Sequence, residues 1–195
     1  MPPCLYKGWL KVKEIFLSFR PECFGPLLYG IKKYEYRKRF CDEETIAYLY
    51  LSGKSRTVVG VMELGKPIRL DITRDNYIDY PDTLKRVDKY IESKDINAIP
   101  IKSLSLFRNP LSLKDIRKEI PNFMPPQMYF VLDNHLKLKQ LLEQQIVCEK
   151  LFYHEHNYIY YDNLAKSVNE LKKTDEYLEL KKKNADNNTF PNINF

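Results

Sequence analysis

No stretch of 18 or more apolar residues occurs in the 195-residue chain, which excludes a membrane-spanning helix. The opening segment, MPPCLYKGWLKVKEIF, lacks the apolar core and small-residue cleavage site of a secretory signal, so the cytoplasm is the expected compartment. Cysteine is sparse: Cys4, Cys23, Cys41 and Cys148 are widely and irregularly spaced, with no CxxC pair. That spacing argues against a disulfide framework and against structural zinc, which takes closely spaced ligand pairs. Reduced, partly buried thiols are expected, with no metal and no cofactor. No repeat recurs at a period that would build a solenoid.

What the chain does contain is enough apolar matter to fold. Hydrophobic residues make up 44% and aromatics 13%, and a chain of this length suits one ordinary domain with an extension. The net charge of +6 is placed unevenly. Residues 1–40 hold nine Lys and Arg against three acids, so that segment carries the whole excess and the rest of the chain balances. A concentrated excess of this kind attracts polyanions, as a dispersed one would not.

Pattern reading predicts short strands at 13–19, 32–39, 45–51, 57–64 and 98–107. SGKSR joins the third and fourth as a hairpin too tight for a parallel crossover. A helix is predicted over 21–29, with Pro21 in its first turn and Gly30 just past its end. Another is predicted over 81–93, where Leu84, Val87 and Ile91 share a face. LSLKDIRKEI reads as a short helix or turn and PNFMPPQ as a Pro-rich loop. Near residue 133 the composition changes. Residues 133–148 and 164–180 show helical spacing, separated by the polar aromatic stretch YHEHNYIYYDN, and 184–195 reads as a disordered tail. The expected organisation is a domain over 13–132, a helical extension over 133–183 and the tail. His154 and His156 are expected to be a surface pair, since no third metal ligand accompanies them.

The densest signal is Gly30-Ile31-Lys32-Lys33-Tyr34-Glu35-Tyr36-Arg37-Lys38-Arg39. On a strand, Lys33, Glu35, Arg37 and Arg39 share one face. Lys32, Tyr34, Tyr36 and Lys38 share the other, with Lys32 close enough to the Gly30 bend to turn inward. A glutamate between cations stays ionised and can orient Arg37 toward phosphate or a base. The tyrosines are expected to pack in the core rather than stack on bases.

At these residues the chain resembles the ASCH domain family. Gly30-x-Lys32-x-x-Glu35-x-Arg37 is similar to the GxKxxExR signature of that family. IFLSFRPECFGPLLYG resembles its opening strand and helix, TVVGVMELG its following strand, and NPLSLKDIRKEIPNFMPPQMYFVL its closing segment. The resemblance spans about residues 13–132 and implies an α+β fold, a PUA-like and mainly antiparallel β-barrel with short flanking helices and, here, a helical C-terminal extension. It implies RNA binding in a cleft between the motif strand and the preceding helix. In the small members that hydrolyse N4-acetylcytidine, a motif lysine and threonine act as base and nucleophile. Lys32 matches the lysine, but Glu35 stands where the threonine would be.

The expectation that follows is a module binding RNA, another nucleic acid or a modified nucleotide through Lys32, Lys33, Glu35, Arg37, Lys38 and Arg39. Two alternatives remain open: a hydrolase of RNA or a modified nucleoside with Lys32 and Glu35 catalytic, and an adaptor that binds a protein partner or a second copy through residues 133–183.

Overall fold

In the computed structural model, residues 12–187 are described; Cys4, Lys7, Lys11 and residues 188–195 of the expected tail lie outside the described residues. Strand β1 (Lys13–Phe19) is followed by helix α1 (Pro21–Leu28), then by β2 (Tyr34–Arg37), β3 (Thr45–Leu51), β4 (Thr57–Leu64) and β5 (Ile68–Arg69). Helices α2 (Leu70–Thr73) and α3 (Pro81–Glu92) precede the long strand β6 (Asn97–Ser112). Helix α4 (Leu113–Glu119), β7 (Tyr129–Val131), α5 (Leu136–Glu143), β8 (Val147–Tyr153), α6 (Val168–Leu171) and α7 (Asp175–Asn187) complete the order.

The strands form one curled sheet in the order β2-β6-β4-β3-β1-β7, with β5 and β8 also paired to β6. All pairings are antiparallel except β1 with β3, which run parallel from Lys13↔Thr45 to Phe19↔Leu51. The architecture is thus α+β and mainly antiparallel, as the sequence predicts.

Alternation along β1 and β3 explains how the sheet is covered on both faces. Ile15, Leu17, Phe19, Ala47, Leu49 and Leu51 point to one apolar cluster with α1, while Phe16, Tyr48 and Tyr50 point to a second with α4 and α5. Full burial of each large apolar side chain contributes about 1.5–3 kcal/mol. In β4 the register shifts between Val58 and Gly60, so Val59 and Met62 reach the same cluster despite opposite parity. Gly60 makes that possible, because a Cβ there would sit 2.1 Å from the Ser105 carbonyl oxygen.

Three differences from the sequence reading bear on the site. Strand β2 is confined to Tyr34–Arg37, because Lys38 and Arg39 bend away while the Asn97 side chain donates to the Arg37 and Lys38 carbonyls. Strand β6 is longer than expected, since β4 pairs with it as far as Ser112. The region after residue 133 carries α5, α6 and α7, but it also contributes β8, so Cys148 lies in a strand and not in a helix. The last helix runs on through Asn187, past the start of the expected tail. Among the described residues no helix is long and apolar enough to cross a membrane.

Candidate functional site

Helix α1 ends in a way that aims Lys32. Gly30 takes φ +69°, a left-handed conformation that glycine adopts without steric cost. The Gly30 amide donates to the Leu27 carbonyl, and the Ile31 and Lys32 amides both donate to the Pro26 carbonyl. The chain leaves the helix folded back on its last turn, and Lys32 turns inward to 5% exposure. Its ammonium donates to the Tyr34 carbonyl at 2.6 Å, lies 3.3 Å from Glu35 Oε2 and sits 5.2 Å from the Tyr36 ring centroid.

Glu35, at 8% exposure, lies between two cations. Its Oε1 is 2.9 Å from Arg37 Nη2, which also donates to the Ser18 carbonyl on β1 at 2.8 Å. Arg37 Nε is buried with no hydrogen-bond partner among the described residues. The result is a buried Lys32–Glu35–Arg37 triad joining α1, β2 and β1. Breaking a buried pair by deleting one partner typically costs about 3–5 kcal/mol, so such a triad is structurally demanding.

The triad forms one wall of a cleft of about 790 Å³. Six cations line it (Arg20, Lys32, Arg37, Lys38, Arg56 and Arg117) against two carboxylates, Glu35 and Asp95. Tyr90 of α3, Val168 of α6 and the Pro125–Met128 segment complete the lining. Burial pushes the phenols of Tyr36 and Tyr90 up, keeping them neutral. Burial likewise raises the Cys23 thiol, with the Lys32 charge only opposing the shift, so Cys23 is not an activated thiolate.

The structure gathers Lys32, Glu35, Arg37 and Lys38 in this cleft and leaves Lys33 and Arg39 out of its lining. Lys33 faces the other way, 5.4 Å from the Tyr160 ring centroid, where burial pulls its ammonium down. Strand alternation fails for it because its backbone is held by the extension: its amide donates to Asn163 Oδ1. The tyrosines behave as expected. Tyr34 is buried in a third apolar cluster and Tyr36 packs against it. Their hydroxyls accept from the Tyr160 and Ala165 amides.

Arg56 and Arg117 were not legible as site residues. They lie in the β3–β4 turn and on α4, and only the fold brings them into the same cleft as the motif. His154 corrects another expectation. It is 7% exposed rather than on the surface, and both it and His156 donate to the Ile101 carbonyl, at 2.9 and 3.0 Å. Burial lowers His154 to about 4 and moves His156 in the same direction. The two rings are therefore neutral near pH 7 and anchor the extension to β6. Among the described residues no group of three or more His, Cys, Asp or Glu could hold a metal ion.

No family model matches the chain, and no curated protein matches it. Solved structures do. The ASCH protein of Zymomonas mobilis aligns with a TM-score of 0.51 at 19% identity, covering 69% of this chain and 96% of that one. Two mutant forms of the same protein align with TM-scores of 0.50, also at 19% identity and 69% of this chain, covering 97% and 99% of theirs. The curled sheet, the helix leading into the motif strand and this likeness together give the chain the fold of that ASCH structure, an α+β architecture.

Proposed function

We propose that the cleft beside β2 binds RNA or a modified nucleotide. The observation that carries this reading is the excess of cations in one half-open cleft, six against two carboxylates, built around a buried triad. Glu35 holds Arg37 in place beside the cleft. Lys38, at the cleft margin, adds a mobile charge for phosphate. The unpaired thiols Cys23, Cys41 and Cys148 suit a reducing cytoplasm, where RNA is available.

The hydrolase reading has weaker support. A lysine acting as base must give up its proton, and Lys32 is instead engaged by the Tyr34 carbonyl, Glu35 and the Tyr36 ring. The adaptor reading also loses ground. Leu138, Leu142, Leu164 and Leu171 are buried within this chain, although Leu136, Ile146 and Leu178 of the same region stay exposed.

The test is fluorescence anisotropy with short single-stranded RNA across a salt series. Binding should weaken steeply with salt, by about 0.7 in log K per log salt for each phosphate neutralised. Lys38→Ala should lower affinity more than Arg39→Ala, since only Lys38 lines the cleft. Absence of affinity at low salt, or equal effects of the two substitutions, would remove the proposal.

A further inference from the structure

The cations of the cleft are not equivalent. Lys32 and Arg37 share the one carboxylate of Glu35, so most of their charge is spent within the protein. Arg20, Arg56 and Arg117, which line the same cleft, are exposed and have no carboxylate partner among the described residues. Asp115 of α4 is taken by Lys118 and Ser112.

The fold builds this second pole deliberately. Arg56 closes the β3–β4 turn at φ +45°, a conformation unfavourable for a side chain of its size. Its carbonyl accepts from the Leu113 amide at 2.7 Å, which fastens the turn to the start of α4. Arg117 follows Leu113 by four residues and so lies one turn further along the same face. Its Nε donates to the Phe123 carbonyl and one terminal nitrogen contacts Met124 Sδ at 3.5 Å. That leaves the rest of the fork unassigned, a planar donor array suited to a phosphate oxygen pair. Tyr50 lines the cleft together with both arginines.

We propose that Arg56 and Arg117, with Arg20 beside them, form the phosphate-recognition pole of the cleft, so that the ligand is a phosphorylated nucleotide unit and not a free nucleoside. The inference rests on the nucleotide-binding reading and specifies it. The motif wall, where Glu35 offsets part of the Lys32 and Arg37 charge, faces the base and sugar, with Lys38 at its margin for a neighbouring phosphate, and the arginine pole faces the phosphate of the bound unit.

Calorimetry with cytidine and cytidine 5′-monophosphate, and anisotropy with a labelled RNA hexamer, test it on the full chain. Wild type should bind the monophosphate at least tenfold more tightly than cytidine. In the Arg56→Ala/Arg117→Ala double variant the monophosphate affinity should fall to that of cytidine. The hexamer salt slope should flatten by about 1.4, the share of two phosphates. Thermal unfolding should confirm that the exposed substitutions leave the fold intact, and Arg56→Lys/Arg117→Lys should recover only part of the affinity. Dependence of the hexamer alone on the arginines assigns the pole to an internal phosphodiester, and dependence of both probes assigns it to any phosphate; either result supports the proposal. If wild type binds all three probes but the double variant matches it, or if cytidine and its monophosphate bind equally and the hexamer does not depend on the arginines, the arginine pole is overturned while the cleft reading stands. If wild type binds none of the probes, both fall.

Discussion

The side-chain oxygen of Asn163 accepts a hydrogen bond from the Lys33 backbone amide at 3.1 Å. The Asn163 side-chain nitrogen donates to the Ile31 carbonyl at 2.9 Å. One carboxamide thus holds the chain on both sides of Lys32, in the way a neighbouring strand would. It comes from the extension, 130 residues downstream of Lys33. With Tyr160 and Ala165 bound to the hydroxyls of Tyr34 and Tyr36, the extension fixes the shape of the motif segment.

Asn163→Ala should therefore harm the cleft without touching it. Two backbone groups lose their partners, at about 1–3 kcal/mol each where water does not replace them. Urea unfolding should register a loss of about 2–4 kcal/mol. RNA affinity should fall in the same variant, because Lys32 is no longer aimed. Unchanged stability and binding would show that the clamp is dispensable.

Glu35 separates structure from ligand binding. Glu35→Ala leaves two buried cations facing each other and should cost about 3–5 kcal/mol. Glu35→Gln keeps the shape and an acceptor, so its loss should be smaller. In a binding module the glutamine variant keeps or gains RNA affinity, since a negative charge leaves the cleft. Retained affinity with lost turnover in a defined assay would instead establish a hydrolase.

His154 makes stability depend on pH. Its folded-state value of about 4 lies below the ordinary histidine value of 6.5. The unfolded chain therefore takes up a proton first as pH falls, and the stability that neutral His154 provides is present above pH 6.5 and is lost down to about pH 4. At 1.36 kcal/mol per unit, the swing is about 3 kcal/mol. Melting temperatures of wild type and His154→Gln should converge with acidification. Parallel curves between pH 7 and pH 4 would refute the role.

Gly30 is constrained twice. Its φ of +69° is costly for any other residue, and a Cβ would meet the Phe152 ring at 3.2 Å and His154 Nε2 at 3.3 Å. Gly30→Ala should destabilise by at least about 1–2 kcal/mol from the backbone alone. Equilibrium unfolding reads that loss directly. The double variant Gly30→Ala/Phe152→Ala should recover only the steric part.

Strands β3 and β4 were legible to the residue, because their apolar content and the intervening turn are local signals. So were α1 and its glycine cap. Strand β8 was missed because leucines spaced for a helix run into it. The β-branched and aromatic residues Ile146, Val147, Phe152 and Tyr153 were the available clue. At the site, Lys32, Glu35 and Arg37 could be read from one strand. Arg56 and Arg117 could not, since their proximity is created by the Leu113 hydrogen bond to Arg56. Lys33 was misplaced because strand parity takes no account of Asn163.

Strand β6 has a consequence for the protein's synthesis. Its Ser103–Phe107 edge is closed by Val147–Tyr153 of β8, which emerges from the ribosome some 40 residues later. At about 5–20 residues per second, the nascent barrel carries an open ladder for about 2–8 seconds. Unpaired edges recruit strands from other chains. The interval between making β6 and making β8 is thus when a newly translated copy is most exposed to aggregation, and slowing elongation between residues 112 and 153 should lower soluble yield.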